Sequence, residues 1–164
     1  MKKLAVLLAN GFGLGLSPVA SGTVGTLLAL PIVWWFCQLL ESPGGVAGIL
    51  IQCAVVIALS LVAIPICSVA EKHYGTKDDG RIVADEYLTF PICMIGLPWN
   101  FWVLLIAFLS CRFFDIVKPA PANQLQRIHG GFGIVIDDVV ASLYSLAFNV
   151  VVVHFVLGKF IIVN

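Results

Sequence analysis

Charge is what this 164-residue chain has least of. Nine Lys/Arg and nine Asp/Glu make 11% of the residues and cancel to a formal net charge of zero. A soluble domain carries about 25% charged residues. Without a basic excess, the chain offers no footprint for nucleic acid. Cysteine chemistry is equally thin. The five cysteines, Cys37, Cys53, Cys67, Cys93 and Cys111, lie within or at the ends of apolar runs, and none belongs to a Cys-x-x-Cys pair. They read as small hydrophobes rather than as zinc ligands or a redox couple. No Gly-Lys-Ser/Thr follows a glycine-rich loop, so the chain has no Walker loop. It also shows no internal repeat, low-complexity tract or composition break, which predicts one domain over 1–164.

What replaces charge is apolar residues, 60% of the chain, with a mean hydropathy of +1.05. That balance predicts an integral membrane protein. Residues 24–40, with Trp34 and Trp35 as interface anchors, form a first candidate span. Residues 46–70 form a second, long enough to cross about 30 Å of hydrocarbon, and 41–45 reads as the turn between them. Residues 139–157 form the last, with Lys159 in a short tail and Asp138 capping its start. The N-terminus, Met-Lys-Lys-Leu-Ala-Val-Leu-Leu, has the look of a signal peptide, but Asn10, Gly11, Gly13 and Gly15 break its apolar core early. It is read as a retained segment.

Residues 82–111 pose the topological question. A straight helix from Tyr87 to Cys111 would run about 37 Å and put Asp85 and Glu86 on the membrane face opposite Asp115 and Asp137. Pro98 and Asn100 allow a break and a turn back instead, which buried membrane segments tolerate. The flanking loops both carry basic residues, which the positive-inside tendency puts on the cytoplasmic side; that favours the broken form. The expectation is therefore an all-α, polytopic membrane helical bundle with about three full spans and one broken or re-entrant helical hairpin.

Eight of the nine acidic residues fall between Glu71 and Asp138; Glu41 is the exception. The stretch 127–138, Arg-Ile-His-Gly-Gly-Phe-Gly-Ile-Val-Ile-Asp-Asp, ends in two adjacent carboxylates and runs straight into an apolar segment. Two like charges about 4 Å apart repel by roughly 4 kcal/mol at an effective dielectric near 20, so adjacent carboxylates at a membrane need a cation, a proton or a basic side chain. Pooling the two polar loops gives Asp78, Asp79, Asp85, Glu86, Asp115, Asp137 and Asp138, with Arg81, Arg112, Lys118 and Arg127, and with His73 and His129. An oxygen-rich set suits magnesium, calcium or manganese better than zinc. Nearby Lys and Arg suit phosphate. Together they point to metal-assisted phosphoryl chemistry at a membrane surface. Each residue also has a plainer reading: Asp85 and Glu86 as helix caps, Arg112 and Asp115 as an i to i+3 pair, His129 as a loop hydrogen bonder. A cation- or proton-coupled transporter is the competing class, but transporters favour midplane charges and internal repeats. A Cys-x5-Arg phosphatase loop, an Asp-x-Asp-x-Thr motif, the Asp-Gly-x2-Ala-Arg pattern of CDP-alcohol phosphatidyltransferases and a Ser-Gly-His motif are all absent. No covalent nucleophile emerges.

Four blocks, in order, resemble the phosphatidylglycerophosphatase A family of bacterial membrane lipid phosphatases: 15–25 (Gly-Leu-Ser-Pro through Gly-Thr-Val-Gly), 79–86 (Asp-Gly-Arg-Ile-Val-Ala-Asp-Glu), 114–121 (Phe-Asp-Ile-Val-Lys-Pro-Ala-Pro) and 129–138 (His-Gly-Gly-Phe-Gly-Ile-Val-Ile-Asp-Asp). The chain departs at Ser21, where the family commonly has proline, at Thr89, where it has glycine, and at Ala120, where it has a larger residue. The resemblance implies magnesium-dependent hydrolysis of phosphatidylglycerophosphate to phosphatidylglycerol and inorganic phosphate, on the cytoplasmic side of the bacterial inner membrane, with a membrane phospholipid as substrate. It implies Asp85, Glu86, Asp137 and Asp138 as Mg2+ ligands and Asp79 and Asp115 as supporting carboxylates. Lys118, with Arg81 or Arg112, would neutralise phosphate, and His129 or a non-ligating carboxylate would orient the attacking water or protonate the leaving oxygen. Ser17 and Thr23, in the loop 17–26, would meet the head group.

Overall fold

The computed structural model describes residues 2–41 and 44–157. Among them every regular element is helical: α1 (Lys2–Ala9), α2 (Ser21–Thr26), α3 (Ala29–Glu41), α4 (Gly45–Tyr74), α5 (Ala84–Thr89), α6 (Phe101–Val117), α7 (Ala122–Leu125) and α8 (Gly131–Val152), with 3-10 turns at Gly11–Leu16 and Phe90–Met94. Part of the 41–45 turn, and the tail with Lys159, lie outside the described residues.

Among the described residues, two helices are long and apolar enough to cross a membrane: Gly45–Tyr74 and Gly131–Phe155. α4 keeps only 17% of its most apolar stretch inside the protein, and Leu50, Ile57 and Leu61 are exposed. A contiguous apolar surface of that length is unstable in water and stable against lipid. The first expected span does not form as one helix. Residues 24–40 are divided between α2 and the 13-residue α3, which reaches only about 20 Å. Pro31 explains the division: it lacks the N–H that would bond Leu27, and its ring crowds that carbonyl, so the helix ends at Thr26 and restarts at Ala29. Two long helices and a shorter apolar one replace the three full spans.

The broken hairpin is present. α5 and the following 3-10 turn, 6 and 5 residues long, descend into the bundle. The chain turns through 95–100, and α6 returns over 17 residues. Asn100 caps α6 by accepting from Trp102 N–H at 2.9 Å. Two buried amides hold the turn. Gln52 of α4 donates to Phe36 C=O (3.1 Å) and accepts from Gly96 N–H (2.9 Å), tying α3, α4 and the turn together. Asn149 of α8 donates to Cys93 C=O at 3.1 Å. Ser110 of α6 joins the same chain, 2.5 Å from Ser145 Oγ and 2.8 Å from Asn149 Oδ1. Backbone groups freed by a broken helix need such partners in an apolar interior.

α8 begins eight residues earlier than the apolar run suggests, at Gly131 rather than at 139. Asp138 therefore does not cap it; Asp137 and Asp138 sit about two turns inside. Glycine's weak helix preference hid this start, yet glycine is what the packing needs. A Cβ on Gly131 would run into Ile64 C=O and Ser68 of α4, and Gly131 N–H bonds Ser68 Oγ at 2.9 Å. Close approach at this point carries the two aspartates into the bundle. α1 is tied in as well: Val83 N–H donates to Ala9 C=O (2.8 Å) and the Tyr87 hydroxyl to Leu8 C=O (3.0 Å).

Candidate active site

The C-terminal ends of α4 and α6, the start of α5 and the first turns of α8 meet at one end of the bundle. Between them lies a polar cavity of about 190 Å3, lined by Asp78, Asp85, Glu86, Asp115, Asp137 and Asp138, by Lys118, and by Ser21, Gly80 and Ile82. The broken hairpin is what brings Glu86 within 3.1 Å of Arg112, on the far limb.

The charges alternate along one line. Glu86 pairs with Arg112 (3.1 Å), Arg112 with Asp115 (3.4 Å), Asp115 with Lys118 (3.9 Å), and Lys118 with Asp137 (2.6 Å). Lys118 holds its position in a left-handed conformation, φ 44°, that ends α6 just before Pro119. Burial pushes the Lys118 ammonium down, but the hydrogen bond and charge of Asp137, with the charge of Asp115, outweigh it and hold the group above its usual range. Glu86 is also held by Thr26, whose hydroxyl lies 3.1 Å from Oε2 and 2.9 Å from Gly22 C=O. Any Cβ on Gly22 would collide with the Glu86 carboxylate.

Positive charge falls short. Six carboxylates line the cavity and two cations, Lys118 and Arg112, pair with them, so carboxyl groups outnumber cations by four. Burial, followed by the charges of Glu86, Asp78 and Asp137, pushes the Asp85 carboxyl well up. Burial also raises Glu86, despite Arg112. Among the described residues Asp85 Oδ1, Asp137 Oδ1 and Asp138 Oδ2 are buried and have no hydrogen-bond partner. An unpartnered buried carboxylate oxygen is costly, and a hard divalent cation is the partner that such oxygens suit. No three acidic, histidine or cysteine side chains among the described residues close around a single point. The donors instead resemble a magnesium site, in which one or two carboxylates act with water and substrate phosphate. Asp85, Asp137 and Asp138 fit that role best, because all three line the cavity and each keeps one buried oxygen without a partner; Glu86 has both Arg112 and Thr26 on Oε2.

The remaining expected site residues distribute unevenly. Asp115 and Lys118 line the cavity. Arg112 stands behind it, bridging Glu86 and Asp115. Asp79 does not line it: its carboxylate is held by the Arg81 guanidinium at 2.7 and 2.8 Å, which keeps its pKa below the usual carboxylate range. Arg81 stacks over the Tyr74 ring, 3.9 Å to the centroid, and is also outside the lining. Asp78 lines the cavity in its place, with φ 50° and its Oδ2 accepting from Gln126 at 2.6 Å. His129 is exposed in the loop before α8, and Thr23 is exposed on α2. The Ser17 hydroxyl is spent on Val19 C=O, at 2.8 Å. Ser21, a departure from the family pattern, lines the cavity and donates to Gly80 C=O at 2.6 Å. Thr89 is accommodated by donating to Asp85 C=O at 2.7 Å. Sequence reasoning gave no site role to Ser21 or Thr26, and it pooled Asp78 with the other carboxylates without assigning it one. Their signal was weak: a small-residue loop and one more aspartate beside a motif.

The family model described as Phosphatidylglycerophosphatase A matches residues 7–153. The protein named phosphatidylglycerophosphatase A in Escherichia coli is 38% identical over 141 residues, 85% of this chain and 77% of that protein. Its namesake in Haemophilus influenzae is 36% identical over 153 residues, 89% and 90% of the two chains. A Bacteroides thetaiotaomicron protein, provisionally named phosphatidylinositol-3-phosphatase, is 35% identical over 158 residues, 94% and 96% of the two. No solved structure matches the chain significantly.

Proposed function

Because this chain belongs to the phosphatidylglycerophosphatase A family, we propose that it hydrolyses phosphatidylglycerophosphate to phosphatidylglycerol and inorganic phosphate in the bacterial inner membrane. Three carboxylates that line the cavity, each with one buried oxygen left unpartnered, carry the reading. They call for a cation, and a phosphate monoester would arrive with one. The cavity's 190 Å3 suits a phosphate head rather than a whole lipid. The acyl chains would lie outside it, along the apolar groove of Ile106, Leu109, Phe113, Phe114, Phe148 and Val152 between α6 and α8. Phe114 of that groove directly precedes Asp115 of the polar cavity in the chain.

In this mechanism Asp85, Asp137 and Asp138 would offer the oxygens for Mg2+, one or two of them directly, and Glu86 would support them from beside Arg112. Magnesium, when bound, supplies Lewis-acid charge to the phosphoryl group. Lys118 leaves Asp137 for a phosphoryl oxygen as substrate enters, so the charge that balanced the empty site then balances the substrate. Water attacks phosphorus, the bond to the glycerol oxygen breaks, and the leaving oxygen takes a proton. Asp115, a lining carboxylate outside the proposed ligand set, accepts the proton of the attacking water and passes it to the leaving oxygen. Arg112 fixes Asp115 and Glu86 relative to each other and does not itself face the cavity. The exposed positions of Arg81, Thr23 and His129, and the pairing of Asp79 with Arg81 outside the lining, favour roles at the cavity's mouth over roles in the chemistry.

The topology follows from the same end of the molecule. Lys72 and Lys77 flank the end of α4, and Lys2 and Lys3 begin α1, which favours a cytoplasmic cavity and a multi-pass chain. The direct test offers purified protein phosphatidylglycerophosphate, phosphatidylinositol 3-phosphate and a water-soluble phosphomonoester in turn. Preferential phosphate release from phosphatidylglycerophosphate is expected. Equal or faster release from the inositol lipid would move the assignment to that substrate.

A further inference from the structure

A second cavity lies on the other side of α4 and has the opposite charge. Its volume is about 650 Å3, and Lys2, Lys3 and Val6 of α1 and Val69, Lys72 and His73 of α4 line it. Among the described residues, no carboxylate contributes to its wall. None of the three lysines makes an ion pair among the described residues; Glu71, next to Lys72 on α4, is not part of the lining. Lys72 and His73 alone would need no special account, since cations favour the last turn of a helix. Lys2 and Lys3 do need one. They come from a different helix, and that helix is fixed in place by the bonds from Val83 and Tyr87 to its last turn.

The cavity's depth and chemistry agree. The apolar run of α4 ends at Ala70, so Lys72 stands where hydrocarbon gives way to head groups. Val6 and Val69 give the cavity an apolar side, and Leu4 and Leu7 of α1 are exposed beside it. A basic rim over an apolar floor matches a phospholipid phosphate with its glycerol and first methylenes below, and basic pockets between helices at this depth bind anionic head groups.

We propose that the α1–α4 cavity is a second lipid site, which holds the phosphate of an anionic phospholipid through Lys2, Lys3 and Lys72 and is separate from the carboxylate cavity. The proposal rests on the membrane reading above and not on the identity of the substrate hydrolysed. It also addresses a difficulty of that reading. An acidic catalytic cavity repels an anionic lipid until its cation is in place, and a basic site at the same end of the bundle raises the local concentration of such lipids.

The test needs no turnover. The full chain, purified in a neutral detergent, is titrated with phosphatidylglycerol, phosphatidylcholine or inorganic phosphate while its thermal unfolding is followed. Wild type is compared with the Lys3→Gln/Lys72→Gln double variant and with Asp138→Asn. The expected result is saturable stabilisation by phosphatidylglycerol, none by phosphatidylcholine, and a half-saturating concentration about tenfold or more higher in the double variant. Asp138→Asn should titrate like wild type, and the double variant should still release phosphate from a water-soluble monoester at the wild-type rate. Equal phosphatidylglycerol titrations for wild type and the double variant would overturn the site. Inorganic phosphate reproducing the shift through the same lysines would overturn a lipid as its ligand. Loss of phosphate release in wild type would sink the proposed reaction and leave this site standing.

Discussion

Glu86 is held from three directions: by Arg112, by the Thr26 hydroxyl, and by the bare face of Gly22. A carboxylate so constrained cannot swing away from the cavity, and its holders are as informative as the residue itself. Thr26→Val keeps the shape and removes the hydroxyl. It is expected to lower kcat by about 10- to 100-fold while unfolding near the wild-type temperature; unchanged kcat would show that Arg112 alone orients Glu86. Lys118→Met removes the cation that faces Asp137. Its turnover should fall by at least about 100-fold, measured as phosphate release at saturating lipid. At this scale the sequence was partly legible. Asp85, Glu86, Asp115, Lys118, Asp137 and Asp138 converge as their acidic and basic chemistry suggested. Asp79 and Asp78 could not be told apart as neighbours in a loop; the choice depends on Arg81 closing on Asp79 and on a left-handed φ at Asp78. His129 was attractive because histidine moves protons, but it precedes α8 on the exposed side.

Among the elements, the hairpin from α5 to α6 decides whether a site exists. Gln52 and Asn149 hold its turn and the strand of chain before it, and both are fully buried. Gln52→Leu would leave Gly96 N–H without its partner, a loss of about 1–3 kcal/mol, and would loosen the turn. A lower unfolding temperature, with turnover reduced in parallel, is expected; a stability equal to wild type would mean that the turn does not depend on this bond. Gly131→Ala tests the α4–α8 contact. Overpacking against Ile64 and Ser68 should cost about 1–3 kcal/mol, seen in the same unfolding measurement, and should displace Asp137 and Asp138. The hairpin was legible because Pro98 and Asn100 interrupt an apolar run and because the loops on both sides are basic. The division of 24–40 was less legible, since hydropathy averages over the break that Pro31 enforces. The early start of α8 was hidden because glycines that permit close packing look, in sequence, like a loop.

For the molecule as a whole, the two ends of the bundle differ as a membrane enzyme's should. Apolar side chains of α4 and α8 face outward along most of its length, and carboxylates gather at one end. Composition alone made the membrane legible; the convergence of loops 50 residues apart in sequence on one cavity did not follow from composition and required the fold. The central claim is that this cavity is the hydrolytic centre and works with magnesium. The most direct measurement is phosphate release from phosphatidylglycerophosphate by the purified protein, with magnesium, with excess chelator, and with Asp138→Asn in the presence of magnesium. The account predicts release in the first case only, restored after chelation by adding magnesium back, with the Asp138→Asn protein unfolding at or above the wild-type temperature because one buried charge is gone. Release that continues in chelator, or at the wild-type rate in Asp138→Asn, would contradict it.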